Sequence, residues 1–132
     1  MVEDSPGTAA STRRALSSYT EDVDLVVRTT GADALHHLQT CRDDDLPDII
    51  LMDLNLPDID GLKVIAKIRE DSRTACIPVN ILAGSNAGRD RKKSYEAGAN
   101  SYLKKPVSYG ALETLLHGVM DYWFKVALLP PR

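Results

Sequence analysis

Short apolar runs alternate along this chain with segments whose apolar residues recur at helical spacing. Val23 to Thr29 (VDLVVRT) reads as a strand rich in β-branched residues. ADALHHLQT then sets Ala34, Leu35 and Leu38 on one helical face. Asp48 to Asp53 (DIILMD) is a continuous apolar run, the mark of a parallel strand covered on both faces. After Gly61, the residues Leu62, Ile65 and Ile68 follow a helical period. PVNILA predicts a further strand, with Pro78 at its start where no ladder donor is lost. RDRKKSYEAGA predicts a polar helix with Gly98 at a left-handed terminus. SYLKKP is a last short strand, and Ser108 can cap a helix through Leu112, Leu115, Leu116 and Val119.

Strands alternating with helices predict an α/β fold: a doubly wound, five-stranded parallel sheet of order 2-1-3-4-5, flanked by five helices and flavodoxin-like. One element departs from it. Before Val23 come the helical segment TAASTRRALSSY and, ahead of that, little more than MVED. Met1 and Val2 alone remain for the first strand, which is central in that order. The expectation is a truncated first strand: either the chain begins later than its natural start, or something else fills the gap.

The 132 residues form one domain, 1–132, long enough to bury a core. A net charge of -3 offers no basic footprint, so nucleic acid is not an expected partner. No apolar run approaches the roughly 20 residues that span a bilayer, and MVEDSPG is no signal peptide. A cytoplasmic protein with no membrane association is expected. Cys41 and Cys76 lack metal-ligand spacing and read as reduced thiols.

Ligands of open α/β sheets bind beyond the carboxyl ends of the strands. Those ends carry Glu3 and Asp4, then Asp53, then Ala83, Gly84 and Ser85, and finally Lys104 and Lys105 before Pro106. Three carboxylates and a lysine thus converge from distant parts of the chain. Clustered carboxylates raise one another's pKa, and a divalent cation removes the conflict. Oxygen-only donors suit Mg2+, which keeps waters and takes phosphate oxygens. The chemistry implied is phosphoryl transfer with an aspartate as covalent acceptor.

The stretches VED, DLNLPDIDG and YEAGANSYLKKP, with the spacing between them, resemble the receiver domain of two-component response regulators over nearly the whole chain. Within that family the resemblance is nearest to the small stand-alone receivers associated with phytochrome-type histidine kinases, whose endings are similar to DYWFKVALLPP. It implies that Asp53 accepts a phosphoryl group from a histidine kinase. It implies also that Glu3, Asp4, Asp53 and the carbonyl of Asn55 hold Mg2+, and that Lys105 binds the phosphoryl group. A cis Lys105–Pro106 bond is implied, and Tyr102 stands where the family has its switch aromatic. One position breaks the pattern: Ala83 replaces the threonine or serine whose hydroxyl takes up the new charge. Losing that bond costs the active state ~1–2 kcal/mol, enough to shift a two-state equilibrium roughly tenfold. Ser85 would substitute only if the loop moved, which Gly84 permits.

The chain is thus expected to be a single-domain response regulator: a phosphoprotein with self-catalysed phosphotransfer and autodephosphorylation, not a conventional enzyme. Its signal would pass by protein–protein contact. The alternative is a degenerate receiver acting as a phosphorylation-independent scaffold. A dehalogenase-type phosphatase would want aspartate where Asn55 stands, and a flavodoxin would need a phosphate-cradling loop where DSPG offers one glycine. His36, His37 and His117 adjoin no acidic cluster and read as helix-face residues, and RDRKK as a solvated face. Asn80, an amide inside an apolar strand, needs partners. Residues 122–132 are too apolar for a free tail and should form a homodimer contact or cover the domain's own core.

Overall fold

The computed structural model describes residues 1–84 and 88–131. Its helices are α1 (Pro6–Ser17), α2 (Gly31–Thr40), α3 (Gly61–Glu70), α4 (Gly88–Ala97) and α5 (Tyr109–Asp121). Its strands are β1 (Ile50–Met52), β2 (Val79–Ala83) and β3 (Ser101–Lys104), paired in parallel in the order β1-β2-β3. No helix among the described residues is long and apolar enough to cross a membrane.

The helices begin where the polar punctuation places them. Side chains of Ser5, Thr30, Asp60 and Ser108 accept hydrogen bonds from the first-turn amides of α1, α2, α3 and α5. Asp58 adds a second cap to α2, accepting from the amides of Gly31 and Ala32 at 2.9 Å. Gly98 ends α4 at φ 110°. A Cβ there would also approach Arg69 Cγ to 2.9 Å, so glycine is required twice over.

The expected five-stranded sheet is present as three strands. Residues 22–27 are extended without strand pairing, against the expectation for Val23 to Thr29. The cause is the length of their neighbour. Val2 makes single parallel bridges to Arg28 on one side and Met52 on the other. Five main-chain hydrogen bonds support it: Val2 N to Leu51 O, Asp53 N to Val2 O, Glu3 N to Arg28 O, Arg28 N to Met1 O, and the Met1 ammonium to Val26 O. Residues before Val26 find nothing to pair with. Burial, with Arg28 nearby, pulls the Met1 amino group down to about 6.

Strand residues alternate between two cores. Ile50, Met52, Val79, Ile81 and Ala83 pack with α2 and α3, whereas Leu51 and Leu82 pack with α1 and α5. Asn80 faces the second layer and is 1% exposed. Its Oδ1 accepts from Ser101 Oγ at 2.7 Å and from Trp123 Nε1 at 3.1 Å, and its Nδ2 donates to Ile50 O at 3.4 Å. Trp123 belongs to a π-helical turn, Tyr122–Val126, that prolongs α5 and ends in a bond from Ala127 N to Tyr122 O. The apolar ending is therefore pinned to the domain's own sheet by a buried amide, and Phe124 packs on the α1–α5 core. Val126 and Leu128 remain exposed.

Asn80→Ala should leave the Ser101 hydroxyl and the Trp123 indole without their acceptor. The expected loss is about 2 kcal/mol of unfolding free energy in urea. Emission of Trp123, the single tryptophan, should shift towards that of a solvated indole. Unchanged stability and emission would dismiss the amide as the anchor.

Candidate functional site

The site is built where Met1–Glu3 and β1 end together. Asp53 N donates to Val2 O at 3.0 Å, so the acidic residues after Val2 and after Met52 arrive side by side. One ligand oxygen from each of Glu3, Asp4 and Asp53 lies within 4.8 Å of the other two. Their environments differ: Glu3 is 2% exposed, Asp53 half-buried and Asp4 exposed.

Burial pushes the Glu3 carboxyl up to about 7; the Ser5 amide works against this, and the Asp53 carboxylate reinforces it. The Ser5 amide lies 3.3 Å from Glu3 Oε2. Lys105 Nζ is 3.7 Å from Glu3 Oε1 and donates to Thr8 Oγ1 at 3.2 Å. The lysine is thus held at the edge of the acidic cluster by Glu3 and by a hydroxyl from the first turns of α1. Sequence reading missed Thr8, because a hydroxyl near Ser5 and Pro6 looks like part of the helix cap. Its spacing of four residues from Asp4 was the available signal.

Asn55 N donates to Asp53 Oδ1 at 3.2 Å, which turns the chain immediately after β1. A Cβ on Gly61 would come within 2.8 Å of Leu54 Cα, so the same loop depends on a close main-chain approach. Ala83 is 5% exposed and packs with the α2–α3 core; its carbonyl accepts from Lys105 N at 2.6 Å. Tyr102 is half-buried against the same core, and its amide donates to the Tyr95 hydroxyl of α4 at 3.1 Å. Ser85 lies outside the described residues, as does any substitution it makes for the absent hydroxyl.

The implied cis Lys105–Pro106 bond is corrected. No peptide bond among the described residues is cis. The trans form is the intrinsic preference of an X–Pro bond. Here it is compatible with both constraints on the lysine, the main-chain bond to Ala83 and the side-chain contacts to Glu3 and Thr8.

A carboxylate at a rigid strand end, two further acids and a lysine beside them form an oxygen-rich cluster with a cationic group at its edge. The chain belongs to the response regulator receiver domain family, which matches residues 1–117. It is 32% identical over 133 residues to the response regulator Rcp1 of Synechocystis sp. (strain PCC 6803), spanning 98% of this chain and 90% of Rcp1. The crystal structure of the phosphorylated cyanobacterial phytochrome response regulator RcpA is similar at a TM-score of 0.91 and 32% identity, covering 98% of this chain and 95% of that one. The Mn2+-bound form of Rcp1 gives a TM-score of 0.86 and 32% identity over 98% and 96% of the two chains. The resemblance to stand-alone, phytochrome-associated receivers therefore extends through the apolar ending.

With no divalent cation, Glu3 makes stability depend on pH. Its ordinary value is 4.5 and its folded value about 7, so the folded state binds the proton more tightly. The stability this supplies is complete below pH 4.5 and lost as pH rises through about 7. Thermal melts in chelator should show that decline in the parent and a flatter profile in Glu3→Gln. Superimposable profiles would assign the effect to another group.

Proposed function

We propose that this chain is a single-domain response regulator in which Asp53 accepts a phosphoryl group from the phosphohistidine of a sensor histidine kinase. The observation that carries the reading is the convergence of Glu3, Asp4 and Asp53 oxygens within 4.8 Å, beside the Lys105 ammonium. In the transfer, a carboxylate oxygen of Asp53 forms the new O–P bond as the N–P bond of the donor breaks. The imidazole nitrogen keeps the bonding pair and later takes a proton. Lys105, released from Thr8, binds a phosphoryl oxygen as a point charge.

The acidic cluster also fits a divalent cation. All its donors are oxygens, which suits Mg2+; burial above all, and the Asp53 carboxylate with it, raises the Glu3 carboxyl, and a cation would relieve the charge repulsion between the two. Glu3, Asp4, Asp53 and the Asn55 carbonyl would hold Mg2+, which when bound supplies charge neutralisation for the transferring group. Asp53 is fixed by its own amide bond to Val2, so the acceptor is positioned before any donor arrives.

The same reading covers the rest of the chain. Residues 1–132 form one receiver, regulatory and cytoplasmic, with spontaneous phosphotransfer and hydrolysis at one aspartate. The sheet order 2-1-3-4-5 belongs to this reading, with Arg28 at the place of its second strand and Val2, between Arg28 and Met52, at the place of its first. Output is protein–protein contact, and exposed Val126 and Leu128 support pairing with a second copy.

A second reading is favoured by one residue. Ala83 offers a methyl group where the family carries a hydroxyl, and its side chain packs into the core. A receiver that accepts phosphate yet couples it weakly to Tyr102 would act mainly as a scaffold.

Two measurements separate these readings. Intact mass after incubation with acetyl phosphate and Mg2+ should rise by one phosphoryl group. The gain should vanish with chelator and in Asp53→Asn. No gain, with a competent receiver phosphorylated in parallel, would refute the acceptor assignment. Where the adduct forms, Ala83→Thr should enlarge the phosphorylation-dependent change in Tyr102 ring resonances, consistent with a shift of roughly tenfold in the switch equilibrium. Identical responses in parent and variant would show that the hydroxyl is not the missing coupling element.

A further inference from the structure

The loop between β1 and α3 begins with Asp53 and carries the Asn55 carbonyl two residues on. Its ends are fixed by main chain: Asp53 N donates to Val2 O at 3.0 Å, and Gly61 N to Leu54 O at 3.1 Å. Between them, residues 56–59 make no main-chain to main-chain hydrogen bond among the described residues. The middle of the loop is held instead by one side chain. Asp58 Oδ1 accepts from Gly31 N and Asp58 Oδ2 from Ala32 N, both at 2.9 Å.

Both sides of this clamp are shaped for it. A Cβ on Gly31 would lie 2.8 Å from Val64 Cγ2 and 3.3 Å from Ile59 Cβ, so α2 starts in direct contact with the loop and with α3. First-turn amides have no partner inside their own helix, and the positive helix end favours a carboxylate. The Ala32 and Gly31 amides accordingly hold the Asp58 carboxyl below the usual carboxylate range. Yet α2 already has a cap of its own, since Thr30 Oγ1 accepts from Asp33 N at 3.0 Å. What Asp58 adds is the tie between the helix and the loop.

That tie closes a ring around the acidic cluster. Glu3 N donates to Arg28 O at 2.9 Å, and Gly31 follows three residues later. From Gly31 the ring passes through Asp58 and along the loop to Asp53, whose amide returns it to Val2. Its one side-chain link is Asp58. We propose that Asp58 is a positioning residue that couples divalent-cation binding at the acidic cluster to the first turn of α2. The inference rests on the cation site of the proposed function. Glu3, Asp4, Asp53 and the Asn55 carbonyl can share a cation only with the loop in one arrangement, and the clamp selects an arrangement beforehand. Such coupling is reciprocal: the clamp closes more firmly with Mg2+ bound by the factor that it adds to Mg2+ affinity. The start of α2 then reports occupancy of the site through a contact that involves neither Ala83 nor Tyr102.

The test uses Mg2+ itself with the parent, Asp58→Ala and Asp58→Asn. Affinity is read from the Asn55 amide resonance during a Mg2+ titration. Amide exchange at Gly31 and Ala32 is measured in chelator and in saturating Mg2+. Asp58→Ala should weaken Mg2+ binding about tenfold, and Mg2+ should slow exchange at both amides of the parent by the same factor. Asp58→Asn, which keeps one acceptor oxygen, should fall between, and Asp58→Ala should show no effect of Mg2+ at these amides. Equal affinity in all three proteins would overturn the proposal. So would weaker binding in Asp58→Ala with no effect of Mg2+ on the two amides of the parent, a pattern that belongs to a general loosening of the loop. A parent that binds no Mg2+ would remove the cation site and the coupling together.

Discussion

The architecture depends on how three residues, Met1 to Glu3, are held. Their main chain is bonded on one side to Val26 and Arg28 and on the other to Leu51 and Asp53. Each such bond contributes only ~0.5–1.5 kcal/mol net, but together they decide where Glu3 and Asp4 lie. Without them the extended segment 22–28 would have no tie to β1, and the acidic pair would have no fixed relation to Asp53. The same short ladder thus joins the sheet and assembles the site. It also explains why Glu3 is buried while Asp4, one residue on, is exposed: successive side chains on an extended backbone point to opposite sides.

A second long-range constraint operates at the other end of β2. Asn80 accepts from a β3 hydroxyl and from an indole on the turn beyond α5. A buried amide is tolerated only when its capacity is used, so Ser101 and Trp123 come as a set with it. Tyr19 Oη donates to Asp121 Oδ1 at 2.6 Å, tying α1 to the end of α5. The proton shared there holds the phenol up to about 12. The apolar ending is consequently part of the α1–α5 layer, and its exposed remainder, Val126 and Leu128, projects from a fixed base.

The strands that were legible in the sequence are those buried on both faces. DIILMD and VNILA are continuous apolar runs, and they form β1 and β2. VDLVVRT carries an equally good local pattern but forms no strand, because pairing is a property of two segments and its partner is three residues long. The acidic cluster was legible because each member sits at a strand end, a position that a one-dimensional reading can find. Thr8 was not, since its role arises from a contact 97 positions away. The role of Asn80 was likewise hidden until the indole 43 positions on was placed beside it. The cis bond before Pro106 came from family resemblance alone, and no cis peptide bond is found among the described residues.

Lys105 and Ala83 show how the site and the rest of the domain are coupled. The Lys105 amide donates to the Ala83 carbonyl, so β2 and β3 are joined where the lysine leaves the sheet. Its ammonium has partners on α1 and at Glu3. A new negative charge on Asp53 would therefore compete with two existing contacts before it could recruit the lysine. In a receiver with a hydroxyl at the end of β2, that group supplies a second pull on the same charge. In the proposed function, Ala83 would leave most of that work to Lys105, whose ammonium is already shared between Thr8 and Glu3. In the proposed function, acceptor chemistry and output coupling would therefore rest on different residues, Asp53 for the one and Ala83 with Tyr102 for the other.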